Sequence, residues 1–361
     1  MKRMRYVAMA GLMCASGALA ACGSEDTGSD GGDGGSETEG KVGVILPDTE
    51  SSVRWETADK PALEAAFDEA GVEYDIQNAN GDTQQMATIA DQMITEGVTV
   101  LAIVNLDSES GAAIQEKAAN AGVATIDYDR LTLGGSAEYY VSFDNTVVGE
   151  LQGQGLADCL GDEAANIVYL NGSPDDNNAT LFAEGAHSVL DPMEQYTVVA
   201  EQAVPGWDNA EAGTIFEQMF TENNGEIDGV LAANDGLGNA AIAILRKNNL
   251  AGEVPVTGQD ATVQGLQNVL DGTQCMTVYK SAKLEAGALA DLAIGLINGE
   301  EAETTGTVVD TSDDSEVPSV LLEPVSITEE NVGDVVEDGG VAVEELCTGD
   351  YADLCADAGI S

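Results

Sequence analysis

From Lys41 onward the chain alternates short, almost wholly apolar runs with longer amphipathic ones, in two successive series. In the first, KVGVILP, EYDIQNA, VLAIVN, VATIDYD and YYVSFD read as strands. ETADKPALEAAFDEAG, TQQMATIADQMITEG and ESGAAIQEKAANAG read as the helices between them. Strands that are apolar at nearly every position are buried on both faces, the condition of a parallel sheet covered by helices. After Asn145 the cycle restarts. NIVYLNG, YTVVAEQAV, GVLAAND, PVTGQDA and CMTVYK are its strands. TVVGELQGQGLADCLG, NATLFAEGAHSVL, NAEAGTIFEQMFTEN, GNAAIAILRKNN, TVQGLQNVLDG and KLEAGALADLAIGLING are its helices. Two such series predict an α/β chain of two doubly wound parallel-sheet lobes. The repeating part runs to about 320 residues, more than one hydrophobic core usually organises.

The N-terminus predicts the compartment. MKRMR is basic, and YVAMAGLMCASGALA is apolar but short for a membrane span. LAAC, Leu19 to Cys22, has the form of a lipoprotein processing site, with Cys22 as the acylated first residue. Residues 1–21 are then a signal peptide. GSEDTGSDGGDGGSETEG has no side chain suited to a core, so residues 22–40 are expected to be a flexible tether. The protein is expected outside the cytoplasmic membrane, held there by lipid.

Charge excludes several partners. The chain has 12 Lys and Arg against 65 Asp and Glu, a net charge of −53. Removing residues 1–21 takes three basic residues and no acid, leaving about −56 at reference ionisation. Such a surface repels nucleic acid and anionic headgroups; it suits solubility and is compatible with a saline habitat. Cys159, Cys275, Cys347 and Cys355 form an even set in an exported chain, which favours disulfides. Three pairings are open. The short loop CTGDYADLC favours Cys347 with Cys355, which leaves Cys159 with Cys275. No CxxC occurs and His187 is the only histidine, so neither a metal nor a cofactor is expected.

In open α/β sheets ligands bind beyond the carboxyl ends of the strands. Arg54 and Trp55 follow the first strand across a short loop, and Asp129 and Arg130 end TIDYDR. Asp176, Asn177 and Asn178 follow NIVYLNG, and Trp207 follows YTVVAEQAV. Asn234, Asp235, Asp260 and Lys280 close the remaining strands. Both tryptophans of the chain are in this set. Carboxylates accept from hydroxyls while Arg, Lys and Asn donate to them, and indole faces suit the C–H faces of a pyranose. Each residue alone has a plainer reading. Asp176 and Asp235 are equally well helix N-caps, Arg130 an ion-pair partner of Asp127 or Asp129, and a lone Trp a core residue. Their co-location is what points to a sugar.

VRWETADK, QNANGDTQQM, IDYDR, VSFDNTVVGELQ, NGSPDDNNATLF, GWDNAEA, AANDG, GQDA and GTQCMTVYK together resemble the type I periplasmic sugar-binding proteins of ABC importers. Within that family they are most similar to the D-xylose and multiple-sugar binders. The resemblance runs from Lys41 to the 320s. It implies two lobes joined by a three-crossing hinge near residues 145–147, 281–283 and about 312–317. Residues 41–146 with about 282–314 would form the first lobe, and 147–281 with about 315–361 the second, which carries the Cys-containing tail. It implies a ligand set of Arg54, Trp55, Asp129, Arg130, Asn177, Trp207, Asn234, Asp260 and Lys280, with the indoles sandwiching the ring. It implies as partners a monosaccharide, D-xylose first and then glucose or other aldoses, and an ABC permease with its cytoplasmic ATPase. The chain would act as a monomer, with no bond made or broken. DTESSV, before Arg54, stands where the family carries a more basic segment, and the tail is unlike that of Gram-negative xylose binders.

Rival readings are weaker. Gly236, Gly238 and Ala241 match a dinucleotide fingerprint, but deep in the second series rather than at a first βα turn. A hydrolase lacks GxSxG and has only His187. Paired carboxylates could suggest a glycosidase, but in so acidic a chain they arise by chance. A repressor of this fold would need a basic DNA-binding head. A sugar-sensing lipoprotein feeding a chemoreceptor or kinase would share the same site.

Overall fold

A computed structural model describes residues 40–360; the expected signal peptide, Cys22 and most of the tether lie outside the described residues. The first lobe runs β1 (Lys41–Leu46), α1 (Lys60–Ala70), β2 (Glu73–Asn78), α2 (Thr83–Glu96), β3 (Val100–Ile103), α3 (Ser108–Ala121), β4 (Ala124–Tyr128) and β5 (Tyr139–Phe143). The second runs α4 (Asn145–Leu160), β6 (Ala165–Asn171), α5 (Asn177–Leu190), β7 (Tyr196–Ala203), α6 (Asn209–Glu222), β8 (Gly229–Ala232), α7 (Asp235–Lys247), α8 (Val263–Leu270) and β9 (Thr277–Tyr279). The chain returns through α9 (Ala282–Asn298), β10 (Gly306–Asp310) and β11 (Ser315–Leu322). It ends with β12 (Val325–Ile327), α10 (Val332–Asp338), α11 (Val343–Leu346) and α12 (Tyr351–Asp357).

The first sheet has the order β10-β11-β5-β4-β3-β1-β2 and is parallel except for the β10–β11 hairpin. Side-chain alternation between two covered faces explains why β1 is apolar from Val42 to Leu46. Val42, Val44 and Leu46 pack with α1 and α9 on one face, while Ile45 packs with α2 and α3 on the other. The second sheet has the order β7-β6-β8. PVTGQDA, expected as a strand, is reduced to a bridge from Val256 to Val230, and β9 pairs antiparallel with β12. In both lobes chain order reverses beside the first strand of the series, between β1 and β3 and between β6 and β8. Such switch points open a crevice at the strand ends.

The chain leaves the first sheet before α4 and returns to it before α9. The third crossing is not at residues 312–317. β11 pairs with β5 in the first sheet, so residues 315–322 belong to the first lobe and the chain crosses between Leu322 and Val325. The residues at the implied crossing form the turn of the β10–β11 hairpin, which stays within the first sheet. Both favoured disulfides form. Cys159–Cys275 ties α4 to the segment before β9, and Cys347–Cys355 closes the tail. Much of the acid has a local use: Asp82, Asp107, Asp144, Asp176 and Asp208 each accept backbone N–H groups at a helix N-terminus.

Candidate functional site: a polar cleft between the lobes

The loop after β1 carries the first residues of the cleft. Asp48 Oδ1 accepts from the backbone N–H of Glu50 at 2.8 Å and of Ser51 at 2.6 Å, a turn that puts Ser51 and Ser52 on the cleft wall. Arg54 follows, and Trp55–Asp59 forms one wide π turn ahead of α1. Arg54 Nε and Nη2 donate to Asp59 at 2.7 and 2.6 Å, Nη2 also to Glu285 at 2.7 Å, and Nη1 to Asp129 at 3.3 Å. The guanidinium also lies 4.7 Å from the Trp55 ring centre.

Asp129 directly follows β4 with φ of 59°, a left-handed backbone rare for residues other than glycine. Its carboxylate accepts from Lys280 Nζ at 3.0 Å and from Asn178 Nδ2 at 3.1 Å, both on the second lobe. Burial alone would raise the Asp129 carboxyl, but Lys280, Arg54 and Arg130 outweigh it and hold it at about 2. Arg130 Nη1 donates to the Asn105 carbonyl at 3.1 Å, and its Nε lies 3.0 Å from Asp176 Oδ2 without hydrogen-bond alignment.

The second lobe supplies the facing wall. Asp176 caps α5 through Oδ1, and its Oδ2 accepts the Trp207 indole N–H at 3.1 Å. Trp207 also has a left-handed φ, 57°, and its ring occupies the space where a Cβ on Gly172 would stand. Only glycine fits beside that indole. Trp55 donates to Ser51 Oγ at 3.0 Å. Both indole N–H groups are thus satisfied by the protein, leaving ring faces for apolar contact. Asn234 caps α7 and donates to the Ser51 carbonyl across the cleft at 3.0 Å. Asp235 does not cap; it sits buried beneath, accepting from Thr262, Gln274 and Thr277. Asp260 has φ of 100°, accepts from Ser52 Oγ at 2.7 Å and from Gln259, and burial raises its carboxyl. Three of the ligand residues expected from sequence therefore sit in strained backbone, a mark of sites that the surrounding fold over-determines.

Eight of the nine expected residues line one cavity: Arg54, Trp55, Asp129, Arg130, Trp207, Asn234, Asp260 and Lys280. Asn177 does not. As the first residue of α5 it faces an outer groove with Asp107 and Ser108, while Asn178 lines the cavity. Ser51, Ser52, Asp176, Phe182 and Gln259 complete the lining. The cavity itself is only about 30 Å³, because its polar groups bond to one another across the lobes. A larger groove of about 700 Å³ runs between α1, α9 and residues 338–340. It touches Arg54, Asp260 and Lys280 but contains neither indole, and alanines form much of its wall. The convergence of chemistry favours the small cavity. Among the described residues no cluster of His, Cys, Asp or Glu is placed to hold a metal.

Residues 42–301 match the family described as the periplasmic binding protein domain. The chain is a periplasmic binding protein. It is 35% identical over 312 residues to the D-xylose-binding periplasmic protein of Escherichia coli, covering 85% of this chain and 93% of that one. It is 31% identical to the multiple sugar-binding periplasmic receptor ChvE of Rhizobium radiobacter, covering 84% and 90%. Among solved structures, a carbohydrate transporter solute-binding protein from Chloroflexus aurantiacus in complex with D-glucose has a TM-score of 0.77 at 27% identity, covering 84% of this chain and 97% of that one. The two-lobed architecture of this periplasmic binding protein is the type I form, and its relatives are binding proteins of transport rather than enzymes.

Proposed function

We propose that this chain captures a neutral monosaccharide outside the cytoplasmic membrane and delivers it to an ABC importer. D-xylose is the first candidate, ahead of glucose and other aldoses. One observation carries the reading: two indoles and a set of buried carboxylates, amides and cations, drawn from both lobes, converge on a single cleft. The relatives named for D-xylose and for multiple sugars support it. In this reading the bonds that now cross the cleft, Lys280 to Asp129, Ser52 to Asp260 and Asn234 to Ser51, give way to sugar hydroxyls. Asp129 and Asp260 accept, Arg54, Arg130, Lys280, Asn178 and Asn234 donate, and Trp55 and Trp207 cover the ring. Sugar touches both walls only in the closed state, so it shifts the open–closed population by its differential affinity. The ABC permease then recognises the closed form. A lipid on Cys22 keeps the protein, as a monomer, beside it.

The test is a calorimetric titration of the purified protein with D-xylose, then glucose, arabinose, ribose and galactose. Micromolar or tighter binding, one site per chain, supports the reading and ranks the sugars. Silence for all five from folded protein overturns it. A relative named as a receptor makes a sensor role the second reading. Neighbouring permease and ATPase genes, against a kinase or chemoreceptor gene, separate the two.

A further inference from the structure

Arg54 and Asp59 are five residues apart, a spacing that in an α-helix points side chains about 140° away from each other. Here the turn between them is widened, with the Lys60 N–H bonded to the Trp55 carbonyl, and Asp59 comes round beneath Arg54. Asp59 is fully buried and accepts Arg54 Nε and Nη2, and Tyr128 Oη at 2.9 Å fixes the carboxylate from β4. Glu285, also fully buried, lies in the first turn of α9 just past the second hinge crossing and accepts Nη2 through Oε2. Neither carboxylate lines the cavity. A guanidinium carries five N–H groups. Three are held from behind by Asp59 and Glu285; the two on Nη1 lie on the side of Asp129, which does line the cavity.

We propose that Asp59 and Glu285 are positioning residues for ligand capture: they lock the Arg54 guanidinium so that Nη1 alone is presented to a ligand hydroxyl. The inference rests on the sugar-binding reading. An unheld arginine loses the freedom of several torsions when it engages a ligand, and one already held does not. Burial, with Asp129 nearby, raises the Glu285 carboxyl to about 8, and its Oε1 makes no hydrogen bond.

The experiment is a double-mutant cycle read by D-xylose titration, with the unliganded melting temperature followed alongside. Asp59→Asn turns one acceptor into an NH2 group facing a guanidinium N–H, so Arg54 must rotate; Glu285 can ionise in compensation, which keeps the variant folded. Xylose affinity should fall about tenfold in Asp59→Asn, yet change less than about twofold when the same substitution is made in an Arg54→Leu background, because the effect passes through Arg54. Glu285→Gln, which keeps an acceptor for Nη2, should lose less affinity than Glu285→Ala. Unchanged affinity in Asp59→Asn, or equal losses in both backgrounds, overturns the proposal while xylose binding by the unmodified protein stands. If the unmodified protein binds no sugar, the functional reading falls and the positioning roles fall with it.

Discussion

The two walls of the cleft are built differently. The first-lobe wall is a fixed ionic lattice: Arg54 shared by Asp59, Glu285 and Asp129, with Tyr128 behind, all buried. The second-lobe wall presents separate groups, Asn178, Asn234, Asp260 and Lys280, each on its own strand end or helix start, and several reach across to the first lobe for their partners. One wall is held mainly by bonds within its own lobe, and the other finds several of its partners across the cleft. A wall held in place before a ligand arrives loses little entropy on binding.

Charge removal separates the walls most strongly. Arg54→Ala would leave the Asp59, Glu285 and Asp129 carboxyls without their shared guanidinium. Losing the cation from a buried ion pair costs roughly 3–5 kcal/mol, so chemical denaturation should show a large loss of stability together with weaker but still measurable sugar binding. Lys280→Ala removes a cation from the facing wall, where Asp129 retains Arg54 and Asn178. Its main effect should be on sugar affinity, about 1.5–3 kcal/mol by calorimetry, with a smaller effect on unliganded stability. Equal stability losses in the two variants would show that the walls are alike.

A steric change on the second wall comes next. Gly172→Ala places a methyl group inside the Trp207 ring, which packs edge-on against Phe182. The indole must leave its position, so sugar affinity should drop by about 1–3 kcal/mol, the scale of core overpacking. Quenching of the tryptophan fluorescence by acrylamide should rise in step. Retained affinity would mean Trp207 does not cover the sugar.

Titration divides the buried carboxyls along another line, with raised and lowered groups side by side in the first lobe. Burial raises four carboxyls: Asp127 to about 7, Asp235 to about 6, Glu285 to about 8, and Asp260 in the same direction. Their folded values lie above the unfolded ones near 4, so what they contribute is fully present below about pH 4 and is lost as pH rises through the folded values. Asp129, held at about 2, behaves oppositely: its contribution is present above about pH 4 and is lost as pH falls toward 2. Thermal stability should therefore be greatest near pH 4–5 and decline toward pH 8.5, a tenfold change in proton affinity on folding being worth about 1.4 kcal/mol. Several tenths molar salt screens the overall acidity, which acts in the same direction. A flat profile between pH 5 and 8.5 would return these carboxyls to ordinary behaviour.

What the sequence revealed and concealed follows the physics of each region. Strand and helix periods are local, so both lobes and the strand-end clusters were legible. Trp55, Asp129 and Asp260 stood out because strand ends in wound sheets face the crevice. DTESSV, unlike the family at that point, concealed Ser51 and Ser52, whose placement depends on the Asp48 turn. Asp59 and Glu285 were invisible for a different reason. Each sits inside a regular helical pattern where an acid normally faces solvent, and only a widened turn and a contact between α1 and α9 bury them. The third crossing implied by the resemblance was misplaced because β11 pairs with β5, a long-range contact that local sequence does not show.

The smallest effect, and the sharpest on register, concerns neighbouring asparagines. The family resemblance pointed to Asn177, whereas the structure turns Asn178 into the cleft. With Asp176 as N-cap the helix begins at residue 177, and a helix rotates about 100° per residue, so only one of the pair can face inward. Asn178 Nδ2 donates to Asp129 at both its carbonyl, 2.9 Å, and its carboxylate, 3.1 Å, and Asn178 Oδ1 accepts from Asn145 at 2.9 Å beside the first hinge crossing. Asn178→Ala should therefore weaken sugar binding by about 1–2 kcal/mol, and Asn177→Ala should stay within about 0.5 kcal/mol of the unmodified protein. Titration of the two variants side by side decides between them. The reverse order would mean that α5 starts one residue later in the sugar-bound state, and that the second wall, unlike the first, is rebuilt on closure.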